Sequence, residues 1–247
     1  MKIRLMTYNI CGGMSYGQDR KRDLHQCAEV ISTYKPDILA LNEVHFNIGF
    51  SGFVEQAKEL YNILDFKYMY YGKAGQIHEG YQGNALFSRF PINPVKTVLI
   101  DNPEIIEEDI YHEQRSFIDA SININGGLRV IVTHFGLAYR EREKALELLV
   151  PIFKTNREKL VFMGDLNITP TDPQLIRISD FLKDTALISN TENLTFPSDI
   201  PDKKIDYIFV SEDIKILSVK VPKTLASDHL PYIADVELWF TKNYIPT

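Results

Sequence analysis

The sequence predicts an α/β fold in which two mixed β-sheets pack face to face with helices on the outer faces. Three observations carry that expectation. Short β-rich apolar segments outnumber helical ones along the 247 residues, which argues against a simple alternating strand–helix winding. Asn125-Gly126-Gly127 joins two alternating apolar runs, a hairpin signal, so at least some neighbouring strands are antiparallel. Strand after strand also ends in a residue able to do chemistry: Asn9, Glu43, His134, Asp165, Asp228-His229. These polar ends come from the first and the last tenth of the chain alike. That favours residues 1–247 as one domain, although length divided by ~150 would also allow two.

Residues 2–10 alternate and are β-rich, giving a first strand. Leu24, Cys27, Ala28, Val30 and Ile31 are spaced for an amphipathic helix over 20–34, stopped by Lys35-Pro36. Asp37 to Val44 reads as a buried strand, Ile38-Leu39-Ala40-Leu41, ending at Asn42-Glu43. A second helix covers 52–64. Strands follow at 67–72, 84–89 and 93–99, the last two divided by Arg89-Phe90-Pro91. The hairpin strands span 114–124 and 128–135. A helix over 139–154 turns Ala145, Leu146, Leu148, Leu149 and Ile152 inward. Lys159-Leu160-Val161-Phe162-Met163 is a buried strand that ends in Gly164. A short helix at 172–181 and strands at 205–210, 214–221 and 231–240 complete the domain. There is no repeat, low-complexity segment or Gly/Ser linker.

With 45% hydrophobic and 11% aromatic residues, the chain can bury a large core and is not of disordered composition. No run approaches the ~18 apolar residues of a membrane span, so integral membrane association is not expected. The start, Met1-Lys2-Ile3-Arg4-Leu5-Met6, enters strand-like sequence directly and does not read as a secretion signal. Cys11 and Cys27 make neither a disulfide framework nor a zinc site. A cytoplasmic location with reduced thiols is the expectation. The net charge of -6 does not favour nucleic acid as partner, whose binding draws on Lys and Arg neutralising phosphates. Asp101, Glu104, Glu107, Glu108 and Asp109 crowd one segment; as a solvated loop they are inert, and beside the active site they would repel a polyanion. Local basic patches would still permit DNA binding.

Gly164-Asp165-Leu166-Asn167 taken alone is also a good turn sequence. Its position after a buried strand matters more, because open α/β proteins place their chemistry at that rim. Glu43 stands at such a rim too. A carboxylate there is costly unless paired, hydrated or bound to a cation, and oxygen-only ligands suit Mg²⁺ or Mn²⁺. His134 ends Val130-Ile131-Val132-Thr133; a satisfied structural histidine is the plain alternative to a catalytic one. Asp228 and His229, adjacent on an extended segment, point to opposite sides, so one could bind metal while the other turns elsewhere. Asp206, at the start of a strand, is the type of residue that orients a histidine and stabilises its imidazolium.

Seven segments occur in order: Thr7-Tyr8-Asn9-Ile10, Asn42-Glu43-Val44, Gly83-Asn84-Ala85-Leu86-Phe87-Ser88-Arg89, Thr133-His134-Phe135, Gly164-Asp165-Leu166-Asn167, Lys204-Ile205-Asp206-Tyr207-Ile208-Phe209 and Ser227-Asp228-His229-Leu230-Pro231. Together they resemble the endonuclease/exonuclease/phosphatase (DNase I-like) superfamily. Each motif is weak alone, but the set runs from residue 7 to residue 231. The resemblance implies a four-layer α/β sandwich and a Mg²⁺-dependent hydrolysis of phosphoesters, with Mn²⁺ as substitute. It implies Glu43 as principal Mg²⁺ ligand with Asn9 and Asp228 close to the ion. Asp206 and His229 would be an Asp–His pair activating water, while Asp165 and Asn167 position water and phosphate; Asp165 is the alternative base. His134 would hydrogen-bond a phosphate oxygen. Asn84 and Arg115 are weaker candidates, for phosphate or His134 contacts or for structure.

The motifs specify the reaction and leave the phosphoester open. Acidic composition tilts the expectation toward a small or lipid-derived substrate. A DNase I-like or abasic-site nuclease would need a basic face around the site. A catalytically silent binding module would be signalled by loss of Glu43, His134, Asp165 or His229, and all four are present. Oligomeric state is not legible.

Overall fold

The computed structural model describes residues 1–17, 20–105, 110–124 and 126–239. Its strands are β1 (Lys2–Asn9), β2 (Ile38–Phe46), β3 (Tyr68–Ile77), β4 (Gly80–Ser88), β5 (Ile92–Ile100), β6 (Arg115–Ile122), β7 (Leu128–His134), β8 (Leu160–Asp165), β9 (Lys183–Asp184), β10 (Asp206–Val210), β11 (Ile214–Lys220) and β12 (Tyr232–Leu238). Its α-helices are α1 (Leu24–Tyr34), α2 (Gln56–Ile63), α3 (Tyr139–Thr155) and α4 (Ile176–Ser179). The strands form two six-stranded sheets, ordered β11-β12-β1-β2-β4-β3 and β5-β6-β7-β8-β10-β9. In each sheet one central pair is parallel, β1 with β2 and β7 with β8, and the rest run antiparallel. Both sheets are therefore mixed.

Side-chain alternation along the strands sorts the buried residues into three layers. Leu5, Ile38, Leu86, Val130, Met163 and Ile208 belong to a cluster between the sheets. Met6, Tyr8, Leu39 and Leu41 face the other way, onto Leu24, Cys27, Ile31 and Leu60 of α1 and α2. Phe162, Tyr207 and Phe209 face outward onto Leu146, Leu149 and Ile178 of α3 and α4. Helices, sheet, sheet and helices make the four layers expected from the sequence.

The same alternation aims the site. Asn9 continues the parity of Ile3 and Leu5, Asn42 that of Ile38 and Ala40, His134 that of Val130 and Val132. Asp165 continues Val161 and Met163, and Asp206 shares its face with Ile208 and Val210. All five therefore project between the sheets, at the end where the apolar layer stops.

Several elements differ from expectation. α1 starts at Leu24, because Asp23 caps the backbone N–H of His25. α2 starts at Gln56, after a turn at Gly49–Ser51. β3 and β4 extend toward each other through 73–83 and pair across a bulge between Lys73 and Gln76. The expected helix at 172–181 is a single turn at Pro173–Leu175 followed by the four residues of α4. β6 and β7 pair as the hairpin that the glycine-rich turn implied, with Asn125 itself outside the described residues. Glu107, Glu108 and Asp109 of the acidic run, and residue 240 of the last expected strand, also lie outside them. Asp101 and Glu104 are exposed. Cys11 and Cys27 are free, and no helix among the described residues is long and apolar enough to cross a membrane.

Candidate active site

Three neighbouring strand ends supply the centre. Asp165 stands in register with His134 across the parallel β7–β8 pair and with Asp206 across the antiparallel β8–β10 pair. The opposite sheet brings Asn9 and Asn42, themselves in register on β1 and β2. Asn42 ties the sheets together: it donates to Asn84 Oδ1 (2.7 Å) and to the Thr133 carbonyl (2.8 Å), and its Oδ1 accepts the Asp165 N–H (2.9 Å). Asn84 passes the link on to the Ser116 carbonyl at 3.0 Å. Asn84 is thus an inter-sheet tie, the structural one of its two expected roles.

Glu43 reaches the cleft through a backbone irregularity. Between Leu41 and Val44, β2 carries one residue more than β4, and Glu43 itself adopts φ 54°. Such a bulge re-aims a side chain that strict alternation would send to the other face. Asn9 then uses both amide hydrogens on carboxylates, Glu43 Oε1 at 2.9 Å and Asp165 Oδ2 at 3.0 Å. Its side-chain Oδ1 accepts the Cys11 N–H at 3.0 Å, which leaves one Oδ1 lone pair.

Asp228 and His229 lie on the loop between β11 and β12, not on an extended strand. Both line the same cleft. The loop is pinned by Ser227 Oγ donating to the Asn9 carbonyl at 2.8 Å and by Ser198 N–H donating to the Asp228 carbonyl at 2.7 Å. His229 Nδ1 lies 2.8 Å from Asp206 Oδ2, and its Nε2 faces Asp165 Oδ2 at 3.5 Å. Phe196 packs against the imidazole with ring centroids 4.9 Å apart.

Asn167 adopts φ 50° and closes a tight turn in which its N–H donates to Asp165 Oδ1 at 2.9 Å. Its side-chain amide donates to the Phe135 carbonyl at 2.9 Å and sits 3.3 Å from His134 Nε2. The other nitrogen of His134 meets Arg115 Nη1 at 2.9 Å.

Burial and like charge set the electrostatics. Burial raises the Glu43 carboxyl above its usual range, and Asp228 raises it further while the Asn9 amide opposes. Asp165 is raised by burial and by Asp206. Burial alone would lower His229, but Asp206 and Asp165 override it and lift the ring to about 10. His134 goes the other way: burial, Arg115 and His229 all hold it well below the ordinary histidine value.

Two carboxylates close enough for Asp228 to raise Glu43, next to an amide carbonyl, are a hard-oxygen donor set suited to Mg²⁺ or Mn²⁺. Glu43, Asp228 and the free lone pair of Asn9 meet that description. Donor atoms of Asp165, Asp206 and His229 also lie within 4.8 Å of one another and could hold an ion. In this structure the Asp206–His229 hydrogen bond occupies that group.

All eight residues singled out in the sequence therefore converge: Asn9, Glu43, His134, Asp165, Asn167, Asp206, Asp228 and His229. Asn9 and Asp206 stand behind, bonded to Glu43 and His229, and the other six line a cleft of about 530 Å³ that also touches Gln82, Tyr111, Glu113, Leu137, Phe196 and Lys203. Sequence reasoning missed these last six. Phe196 and Lys203 are brought there by a small bridge between their own backbones, and no local pattern announces it.

A profile of the Endonuclease/Exonuclease/phosphatase family matches residues 6–229. Among solved structures, the fold is similar to an endonuclease/exonuclease/phosphatase from Beutenbergia cavernae, at 24% identity and TM-score 0.77, over 96% of this chain and 72% of that one. It is similar to an endonuclease/exonuclease/phosphatase from Bacteroides vulgatus at 21% identity and TM-score 0.75, over 97% and 100% of the two chains. It is also similar to a mannosyl-6-phosphatase from Bacteroides thetaiotaomicron at 17% identity and TM-score 0.71, over 96% and 100%. No curated protein sequence matches the chain. With the profile spanning most of its length and the strand ends meeting in one cleft, the chain belongs to the endonuclease/exonuclease/phosphatase family of phosphoester hydrolases.

Proposed function

We propose that residues 1–247 form one catalytic domain, a Mg²⁺-dependent hydrolase that cleaves a small phosphoester by attack of water at phosphorus. The observation that carries this reading is the His229–Asp165 pair facing one point, Nε2 and Oδ2 3.5 Å apart and sharing a proton, with His229 anchored on Asp206 at 2.8 Å. A water between them can lose its proton to the pair. Asp206 then stabilises the imidazolium, which its carboxylate already favours.

Glu43 and Asp228 would hold the cation, with Asn9 beside them. A bound Mg²⁺ supplies polarisation of a phosphoryl oxygen and neutralisation of its charge. Asn9 orients both Glu43 and Asp165 with one amide. Asn167 braces the Asp165 turn, and His134 stands beside it as a donor for charge developing on phosphate oxygens.

Three considerations support a small substrate over a polymer. The cleft of about 530 Å³ has the size of a small-molecule site. The net charge is -6, and Glu113 adds an anion to the rim. One structural neighbour is by name a phosphatase of a phosphorylated sugar. The test is a hydrolysis screen with Mg²⁺, Mn²⁺ or EDTA, using phosphorylated sugars, nucleotides, sphingomyelin and supercoiled DNA. Metal-dependent release of phosphate or alcohol from a small phosphoester is the expected result. DNA cleavage at physiological salt would instead establish a nuclease, and no turnover of any phosphoester would point to a binding module.

A further inference from the structure

The two nitrogens of His134 face partners of different kinds. Arg115 Nη1 lies 2.9 Å from Nδ1, and the same Nη1 lies 3.0 Å from Glu113 Oε2. Glu113 in turn accepts from Gln82 Nε2 at 3.4 Å. On the other side, Nε2 faces Asp165 Oδ2 at 3.4 Å and Asn167 Nδ2 at 3.3 Å.

A guanidinium has only N–H donors and no lone pair to offer. Nδ1 of His134 must therefore be the acceptor, and it accepts only when it carries no proton. A ring with a bare Nδ1 is neutral and bears its proton on Nε2. Asn167 Nδ2 spends one of its two hydrogens on the Phe135 carbonyl at 2.9 Å, so the tautomer is set on the Arg115 side, where only one direction of donation exists. Nε2–H is left pointing at Asp165 Oδ2 and the open cleft beside it.

We propose that Arg115, held from behind by Glu113, is a positioning residue that fixes His134 as the neutral Nε2–H tautomer, a permanent hydrogen-bond donor to a phosphoryl oxygen and not a proton donor. The phosphoryl oxygen rests on the functional reading above; the tautomer does not. The charged groups against the ring act together. Arg115 from β6 and His229 from the loop before β12 both oppose a third positive charge, and burial opposes it most. Asp165 from β8 favours one, but its charge is shared with the His229 imidazolium. Arg115 shares strand parity with Phe117, which faces the outer layer, so strand alternation alone does not reveal its reach to His134.

The test is ¹⁵N–¹H NMR of the histidine rings in the full chain with Mg²⁺, recorded from about pH 5 to about pH 8, the window in which histidine normally titrates. Wild type should show His134 with a bare Nδ1 and a protonated Nε2 at every pH. In Arg115→Met, the ring should lose that fixed tautomer and populate a protonated Nδ1 as well, while burial, the larger cause, still keeps it neutral. Arg115→Lys, which restores a cationic donor, should recover the wild-type pattern at least in part. Hydrolysis by Arg115→Met should fall on the order of 10²-fold, as when one transition-state donor is misplaced. A protonated Nδ1 in wild type, titration of wild-type His134 in this range, or an unchanged tautomer in Arg115→Met would overturn the proposal. Because the wild-type spectrum needs neither a variant nor a substrate, it decides the tautomer even if Arg115→Met does not fold. Failure to hydrolyse any phosphoester, with the predicted spectrum intact, would remove the functional reading separately.

Discussion

His229 Nδ1 donates to Asp206, and Asp206 and Asp165 together favour the imidazolium, so the base toward water is the His229–Asp165 pair that shares the Nε2 proton. The chemistry of the cleft thus depends on single hydrogen bonds. Glu43→Gln removes the charge that a cation needs while keeping an acceptor for Asn9. His229→Ala removes one partner of the His229–Asp165 pair. Each substitution should lower hydrolysis of a generic phosphodiester by about 10²–10⁴, the usual range for losing a general acid–base group. Far-UV circular dichroism and the melting temperature should stay near wild type, and unchanged turnover in both variants would sink the mechanism. The residue types at these positions were legible from the sequence, since Asn, Glu, Asp and His each closed an apolar strand. Their partners were not: Asn9 bridging Glu43 and Asp165 spans 34 and 156 positions of chain.

Elements position these residues, and glycine decides how closely two of them pack. Gly164 has φ 147°, and a Cβ there would lie 1.8 Å from the Thr133 carbonyl oxygen of β7. That oxygen is backbone and also accepts from Asn42, so it cannot move aside cheaply. Gly164→Ala should destabilise the fold by at least ~3 kcal/mol, combining a disfavoured backbone conformation with overpacking; a urea melt measures it. On the same sheet, Arg129 of β7 holds Asp119 of β6 through two contacts of 2.8 and 2.9 Å. Burial would raise the Asp119 carboxyl, but Arg129 and Lys96 outweigh burial and hold it below its usual value. A depressed carboxyl contributes stability above its unfolded pKa of ~3.9 and loses it as pH falls through the folded value. Asp119→Asn should therefore flatten the loss of stability below about pH 4, read from melting temperatures across acid pH. α1 and α3 were visible in the sequence because their apolar spacing is local. The inner halves of β3 and β4 were hidden, since Gly72, Gly75, Gly80 and Gly83 interrupt the alternation. There the backbones crowd, and a Cβ on Gly83 would meet the Gly72 carbonyl at 2.2 Å.

At the scale of the whole molecule, the sheets are joined at the cleft by amides where the apolar layer ends. Asn42 makes contacts to Asn84, Thr133 and Asp165 at once, and all of these atoms are buried. Asn42→Ala would strand a donor and two acceptors, each worth about 1–3 kcal/mol when left unsatisfied. The expected outcome is a loss of several kcal/mol, together with reduced turnover, since the Asp165 backbone loses its tether. Denaturant unfolding and kcat measured on the same preparation check both halves. A drop in stability with undiminished kcat would show that the tie holds the sheets but does not place Asp165.

The sequence by itself determined the two-sheet architecture, through strand periodicity, and pointed to the eight residues that meet at the cleft, through strand ends and seven motifs in order. Apolar strands must be buried on both faces, and the polar residue that ends each one must emerge at the rim. Only the tertiary structure decided how those residues act. The bulge that turns Glu43 inward, the register that sets Asp165 between His134 and Asp206, and the reach of Arg115 to His134 all depend on strands far apart in the chain. Pairing across such distances is fixed by which strands meet and in what register, and no local stretch of sequence contains that information.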